Sequence, residues 1–555
     1  MDEVIEKFAL ENALRYNGKA NLGAVIGSVI KEDSSQKDNI KELQKKVSLI
    51  VKKVNVMNLE SQKKRLEKLA PELLEKKPKK EKDLFSSFKT TKKVVTAFPP
   101  EPSKYPHIGH AKALLVNYEF AKRNKGKFIL RFEDTNPELA KEEFYKIHIE
   151  NYEWLGVKPN LIQYASDYME KFYEYAEKLI NIGKAYVCSC PQEKIQESRM
   201  KGVACDCRYR HFQENIILWK KMPTMKAGSA ILRLRIDLKH KNSSMRDPTI
   251  FRIITKDHCR TAGKYSVWPN YDFENSVMDG LSSITHRFRS KEFEMRNELQ
   301  RYIQKILGFE ETEIYEFARF NLKGVESSGR IIREMINEGK LTGWDDPSLT
   351  TLVALRRRGF LPEAIKNFVL STGMTKSEST LTWDDLIAHN KRLLDANCNR
   401  YFLIENPERV RMQDAPKMKI ELKLHPEHPE RGKRKFSTDE LFYISKNDVK
   451  TFKDKKLYRL MDCLNFTKKN GYYTYQGTDL KDYKEKGEKI IHWLPFKKGL
   501  VDVEVLMPDK RIASGLAEPM TLELKEGDII QFERFGFCKL DKKTKNKLYF
   551  WFTHK

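Results

Sequence analysis

Val94-Val95-Thr96-Ala97-Phe98-Pro99-Pro100-Glu101-Pro102-Ser103-Lys104-Tyr105-Pro106-His107-Ile108-Gly109-His110-Ala111-Lys112-Ala113 reads as a β-branched strand, a proline-rich turn and a helix opening at a His-x-Gly-His step. Valine and threonine favour extended backbone, and the prolines end it. The step places two imidazoles and a glycine at a helix N-terminus, where free N–H groups and the macrodipole attract phosphate. The glycine leaves room for a base or a phosphate to approach the backbone. Two histidines three apart on a helix are, taken alone, more often surface or packing groups. The strand-turn-helix setting reverses that preference.

Around this stretch, from about residue 91, short β runs alternate with amphipathic helices: strand 93–98, helix 108–123, then strand Lys127–Phe132. That alternation predicts an α/β nucleotide-binding domain. An excursion spans roughly 187–260, and the α/β texture resumes at Val267-Trp268-Pro269-Asn270-Tyr271-Asp272-Phe273. A helical stretch covers about 320–395. Beyond 400, alternating runs such as Val501-Asp502-Val503-Glu504-Val505-Leu506 predict antiparallel β barrels. Toward the N-terminus, apolar residues recur at helical spacing in Val4-Ile5-Phe8-Ala9 and Ile40-Leu43-Val47-Ile50-Val51-Val54. Lys76-Lys77-Pro78-Lys79-Lys80-Glu81-Lys82 breaks that pattern and reads as a solvated linker, with an RNA-facing strip second.

At 555 residues the chain exceeds one core, and about three to five domains are expected. It holds no apolar run of about eighteen residues, so no membrane span is expected. The acidic, amphipathic start argues against secretion, and a cytoplasmic location is expected. The formal charge of +26 suits a polyanionic partner, although a general lysine bias would produce it too. Of eight cysteines, Cys188, Cys190, Cys205 and Cys207 form a Cys-x-Cys pair, a gap of fourteen residues and a second pair. Four thiolates can close a tetrahedral zinc site; reduced, unligated thiols are the plain alternative. Cys259, Cys398, Cys463 and Cys538 are scattered and read as small hydrophobes.

Leu130-Arg131-Phe132-Glu133-Asp134-Thr135-Asn136-Pro137 sets carboxylates just past a strand's C-terminal end, where an α/β sheet presents ligands. Either could receive an ammonium group by a charge-assisted hydrogen bond. Asp-Thr-Asn-Pro is also good cap chemistry, and Asp134 is assigned that role.

The His-x-Gly-His step after Pro-Pro-Glu-Pro resembles the HIGH signature of class I aminoacyl-tRNA synthetases, and the surrounding chain resembles archaeal-type glutamyl-tRNA synthetases. The likeness runs through ordered blocks along nearly the whole chain. Arg15-Tyr16-Asn17-Gly18-Lys19-Ala20 and Leu69-Ala70-Pro71-Glu72-Leu73 resemble the family's helical appendage. Tyr271-Asp272-Phe273 and Ile284-Thr285-His286-Arg287-Phe288-Arg289-Ser290-Lys291-Glu292-Phe293 resemble blocks lining its amino-acid pocket. Gly324-Val325-Glu326-Ser327-Ser328-Gly329-Arg330 stands where the family has its KMSKS loop, followed by Gly343-Trp344-Asp345-Asp346-Pro347 and Leu355-Arg356-Arg357-Arg358-Gly359-Phe360. Ile490-Ile491-His492-Trp493-Leu494-Pro495, Gly515-Leu516-Ala517-Glu518-Pro519, Gln531-Phe532-Glu533-Arg534-Phe535-Gly536-Phe537 and Tyr549-Phe550-Trp551-Phe552-Thr553-His554-Lys555 resemble its anticodon-binding barrels.

The resemblance implies a multidomain α/β plus all-β fold. A helical appendage and linker would occupy 1–90, and a Rossmann-type catalytic domain 91–186 and 261–319. An acceptor-stem-binding insertion would occupy 187–260, a KMSKS-like loop and helical connecting domain 320–398, and anticodon barrels 399–555. It implies a glutamate–tRNA ligase that uses ATP with Mg2+, L-glutamate and tRNA(Glu), acting as a monomer, and leaves open whether tRNA(Gln) is charged too. A glutaminyl enzyme and a tRNA-binding paralogue without amino-acid activation are the other readings. His107, His110 and Arg330 would be catalytic. Pro99, Pro100, Glu101, Gly109, Ser327 and Ser328 would hold ATP. Glu133, Tyr271 and Arg289 would hold glutamate, with Arg289 pairing its γ-carboxylate bidentately. The cysteines would bind a structural Zn2+. Arg287 reads as a surface or packing residue.

Two residues depart from the family in the opening stretch. Ala97 replaces an arginine that contacts substrate, and Lys104 replaces a glycine. The loop also lacks its central lysine, with Ser328 near that place. Arg330 is expected to supply the cation, Lys104 to return some positive charge, and an arginine restored at 97 to tighten glutamate binding.

Overall fold

The computed structural model describes residues 1–555 apart from 17, 38, 74–83, 87, 89, 91–92, 321 and 379. The chain divides into two compact units, Met1–Asp83 and Leu84–Lys555. The expected linker at 76–82 and Asn17 of the Arg15–Ala20 block lie outside the described residues.

The first unit contains α1 (Asp2–Arg15), α2 (Leu22–Glu32), α3 (Ile40–Val56) and α4 (Leu59–Leu69). Asn21 and Asn58 cap α2 and α4 by accepting from the N–H groups of Ala24 and Ser61, which satisfies donors with no partner inside the helix. The three-and-four spacing turns Ile5, Ala9, Val47, Val51 and Val54 into one core. Gln62, fully buried, donates to the carbonyls of Gly18 and Val54 at 2.9 Å.

The second unit is organised on a parallel sheet. β1 (Val95–Phe98) leads through α5 (Ile108–Arg123) to β2 (Lys127–Phe132), and α6 (Glu142–Trp154) leads to β3 (Leu161–Tyr164) and α7 (Met169–Asn181). The chain then builds a separate antiparallel sheet from β4 (Ala185–Cys188), β5 (Ile231–Leu234), β6 (Thr249–Ile253) and β7 (Val267–Pro269), with α8 (Gln192–Lys201) and α9 (Phe212–Lys221) between β4 and β5. It returns through α10 (Tyr271–Leu281), β8 (His286–Ser290), α11 (Asn297–Leu307) and β9 (Glu313–Phe317). The parallel order is β3-β2-β1-β8-β9. Val267–Pro269, expected to reopen the α/β region, pairs antiparallel with β6 and closes the inserted sheet. A three-residue apolar strand reads alike in either sheet, and only pairing separates them.

Strand order reverses between β1 and β8, and an open α/β sheet offers its ligand crevice at the carboxyl ends of such a pair. Thr96, in register with His286, faces α5 and donates to the carbonyl of Asn117. Gly126 permits the return to the sheet, since a β-carbon there would lie 2.3 Å from the Val94 carbonyl oxygen.

After β9 come α12 (Gly329–Asn337), α13 (Leu352–Arg358), α14 (Pro362–Ser371) and α15 (Trp383–Asn397). Two seven-stranded sheets and a two-stranded one, Met418–Lys423 with Lys433–Thr438, complete the chain. Most pairs are antiparallel, but Val501–Leu506 runs parallel to Lys547–His554. Trp493, Phe532, Phe537 and Phe550 of the aromatic blocks are buried core, while Tyr472 is exposed. Arg357 joins the helices to these sheets by pairing with Asp345 and Asp541.

Candidate functional site

The crevice beyond β1 and β8 is a cavity of about 790 Å³. Its wall includes Pro99, Pro100, Glu101, His107, Gly109, His110, Glu133, Tyr271, Arg289, Ser327 and Ser328, so nearly all the expected nucleotide and amino-acid residues converge there. Arg330 does not line it: it is exposed on the first turn of α12. The loop turns Ser327, Ser328 and Gly329 inward instead.

The proline-rich turn enters α5 through a reciprocal cap. His107 Nδ1 accepts from the Gly109 N–H at 3.0 Å, and His110 Nδ1 accepts from the His107 N–H at 3.1 Å. A neutral imidazole that accepts at Nδ1 carries its proton on Nε2. Burial, reinforced by Lys104, lowers the His107 pKa to about 3 and holds that of His110 well below its ordinary value. Both rings are therefore neutral Nε2–H donors at a helix N-terminus. Gly109 is required by this fold-back, because a β-carbon would lie 2.8 Å from His107 Cε1. The segment is held from outside by Ile108 N–H to Thr350 O and Leu352 N–H to Pro106 O, at 3.0 and 2.8 Å.

The other end of the cavity is a buried charge network. Arg131 pairs with Asp279 at 2.8 Å and with Glu133 Oε1 at 3.1 Å. The Asn275 amide also donates to Glu133 Oε1, so both protein donors take one oxygen and Oε2 is left for another. Burial raises the Glu133 pKa, opposed by Arg131 and Arg287. Glu274, beside it, is held well above the ordinary carboxyl range by burial and by Glu133, and accepts from Thr135 Oγ1 at 2.9 Å. Tyr271 packs its ring 5.5 Å from Phe293, and burial raises its pKa to about 12.

Arg289 donates to Gln300 Oε1 at 2.9 Å and to Asn297 Oδ1, with its guanidinium over Phe293. These partners are neutral. No carboxylate bonds the guanidinium directly: Asp272 and Glu316 stand one hydrogen bond further back, accepting from Gln300 and Asn297, so the inner face of the charge stays open to a carboxylate ligand. Asp134 does not cap its own segment. It accepts from the Ser166 N–H and hydroxyl at 2.7 and 2.8 Å and from Tyr145, tying β2 to the turn after β3.

Arg287, read from sequence as a surface or packing residue, lines the cavity and is only 1% exposed. It pairs with Asp279 and donates to Asn275 Oδ1 at 2.6 Å. Glu274, Asn275 and Asp279 were not singled out in the sequence. Their helical spacing from Tyr271 was the available signal, since one face of α10 carries the set.

Cys188 at the end of β4, Cys190, Cys205 and Cys207 bring their sulfurs within 4.8 Å of one another. Cys188–Cys205 and Cys190–Cys207 each measure 3.9 Å. Tetrahedral zinc with bonds of about 2.3 Å spaces its sulfurs by about 3.8 Å, so the donor set fits such an ion. The other cysteines lie apart from it.

Sequence comparison agrees with this geometry. The profile described as "tRNA synthetases class I (E and Q), catalytic domain" matches residues 93–396. Profiles for the anti-codon binding domain of the same class match 398–478 and 490–541. The chain belongs to the class I glutamyl/glutaminyl tRNA synthetase family. Relatives in this family named "Glutamate--tRNA ligase" include one from Pyrococcus furiosus, 40% identical over 100% of both chains, and one from Methanocaldococcus jannaschii, 39% identical over 100% of both. The cavity lies within the portion matched by the catalytic-domain profile. Among the described residues no helix is long and apolar enough to cross a membrane.

Proposed function

We propose that this chain is a cytoplasmic glutamate–tRNA ligase: it activates L-glutamate with ATP and Mg2+ and transfers the glutamyl group to the 3′ end of tRNA(Glu). The observation that carries the reading is the pair of complementary groups at one end of the cavity. Glu133 Oε2 suits the α-ammonium, and Arg289, held by neutral amides, suits the γ-carboxylate. Offered a carboxamide instead, Arg289 would stay a poorly compensated buried charge. Relatives named "Glutamate--tRNA ligase" over the full length support the same substrate.

In the first step an oxygen of the glutamate α-carboxylate attacks the α-phosphorus of ATP. The bond to the bridging oxygen breaks and pyrophosphate leaves. Charge grows on phosphate oxygens, and the neutral Nε2–H groups of His107 and His110 with the α5 N-terminus are preorganised to receive it. Their contribution is positioning and electrostatics, with no proton released. In the second step a hydroxyl oxygen of the terminal ribose attacks the glutamyl carbonyl, the bond from that carbon to the phosphate oxygen breaks, and AMP leaves with its phosphate taking up the hydroxyl proton.

Zinc at Cys188, Cys190, Cys205 and Cys207 would fill all four positions with protein and serve structure alone. It would brace the segment that exposes Met200, Tyr209, Phe212 and Ile217, apolar surface suited to an unpaired acceptor end. The net charge of +26 favours binding to a polyanion such as tRNA. ATP–pyrophosphate exchange with glutamate or glutamine, with and without tRNA, tests the reading. Glutamate-dependent exchange is expected. Glutamine-dependent exchange would make it a glutaminyl enzyme, and no exchange under any condition a tRNA-binding paralogue. Charging of tRNA(Glu) and tRNA(Gln) is read separately, by attachment of labelled glutamate to each tRNA.

A further inference from the structure

Two helix N-termini face the cavity, that of α5 at Ile108 and that of α12 at Gly329, and the turn 99–106 runs between them. Lys104 sits in that turn and lines the cavity. Its backbone is anchored on both sides. The Lys104 carbonyl accepts from the buried His148 Nε2 at 2.8 Å, and the Ser103 carbonyl accepts from Arg333 Nη1 of α12 at 2.8 Å.

The stem of Lys104 runs across Gly329. A β-carbon built on Gly329 would lie 2.7 Å from Lys104 Cδ and 3.1 Å from its Cβ. Backbone strain does not explain this glycine, which is the first residue of an α-helix. A side chain at 329 would meet the Lys104 stem, which would have to swing aside to admit it. Residues 324–330 contain no lysine, and Arg330 is outside the cavity wall. Lys104 thus covers the side of Gly329 on which a side chain at that position would begin.

We propose that Lys104 is the residue that binds the triphosphate of ATP through its ammonium, and that positions 104 and 329 form an exclusive pair in which one lysine shuts out a side chain at the other. The proposal rests on the cavity being the nucleotide site. Burial lowers the Lys104 pKa; Arg333 and Arg319 act in the same direction, and Glu101 and Glu292 oppose it. A partly buried ammonium that neither carboxylate bonds directly is costly until an anion joins it, and a triphosphate is such an anion.

The test is ATP–pyrophosphate exchange by the full chain carrying Lys104→Met, Lys104→Arg, Gly329→Lys or Lys104→Gly with Gly329→Lys. Lys104→Met keeps the stem and loses the charge, and should lower kcat/KM for ATP by about 10- to 100-fold with the KM for glutamate unchanged. Lys104→Arg should retain more activity than Lys104→Met. Gly329→Lys alone should fall through collision with Lys104, and the double variant should recover several-fold over it. Recovery in the double variant distinguishes an exchange of roles from a structural need for Lys104. Exchange by Lys104→Met within twofold of the parent, or a folded double variant no better than Gly329→Lys, would overturn the pair while leaving the nucleotide site intact. A parent chain with no exchange and no rise in melting temperature on adding ATP with Mg2+ would overturn both.

Discussion

Ala97 and Arg287 are cross-strand neighbours. Thr96 is in register with His286 and both face α5, so the next residue on each strand points to the opposite face. There Ala97, fully buried against Ile129 and Ile284, leaves the network of Arg131, Glu133 and Asp279 to the Arg287 guanidinium. The smallest side chain on one strand stands beside one of the largest on the other.

That pairing reverses an expectation. The sequence leads one to expect that arginine at 97 tightens glutamate binding, but Ala97 is fully buried against Ile129 and Ile284, so a longer side chain there must displace its neighbours. Ala97→Arg should destabilise by about 3 kcal/mol, from overpacking and a buried charge without a partner. It should raise the KM for glutamate. A variant with unchanged melting temperature and a lower KM would refute this account.

Arg289→Gln removes the cation while keeping an amide able to bond Gln300 and Asn297. A lost hydrogen bond to a charged group is worth about 1.5–3 kcal/mol, so the KM for glutamate should rise by about 10- to 100-fold. Preference for glutamate over glutamine should fall with it. Exchange assays with both amino acids read the two effects together.

Buried histidines give stability a defined pH dependence. The pKa values of His107 at about 3 and of His148, His492 and His554 at about 4 are lowered by burial from 6.5. Between those values and 6.5 the unfolded chain binds more protons, so stability falls as pH drops through this window, by up to about 1.4 kcal/mol per pH unit for each group. Thermal melts from pH 7.5 to 4.5 should show a declining midpoint. His148→Gln, which can still donate to Lys104 and accept from Tyr152, should make the decline shallower; an identical slope would remove His148 from the explanation.

The cysteine cluster and the activation cavity belong to different parts of the second unit. Metal analysis should find about one zinc per chain. Cys190→Ser should lower tRNA charging more than ATP–pyrophosphate exchange, because the four sulfurs lie outside the cavity wall, to which the inserted sheet contributes Arg252 of β6. Equal loss of both activities would count against a purely structural zinc.

Local chemistry made the core of the site legible in the sequence. A β-branched run, prolines, a helix cap and a glycine lie within twenty residues of one another, and β1, α5 and β2 follow that reading closely. Two Cys-x-Cys pairs likewise announced a cluster through spacing alone. Glu133 and Arg289 were legible only through resemblance to a family, since a carboxylate after a strand also reads as a cap.

The sequence by itself determined which segments become strands and helices and which residue types could meet a nucleotide and an acidic amino acid, because those preferences act over a few neighbouring residues. Tertiary structure alone decided that Arg287 belongs to the cavity, that Arg330 does not, and that Lys104 lies over Gly329. Each of those outcomes depends on strand register or on the packing of one loop against another. Such contacts join residues from about 190 to 225 positions apart, and no local pattern encodes them.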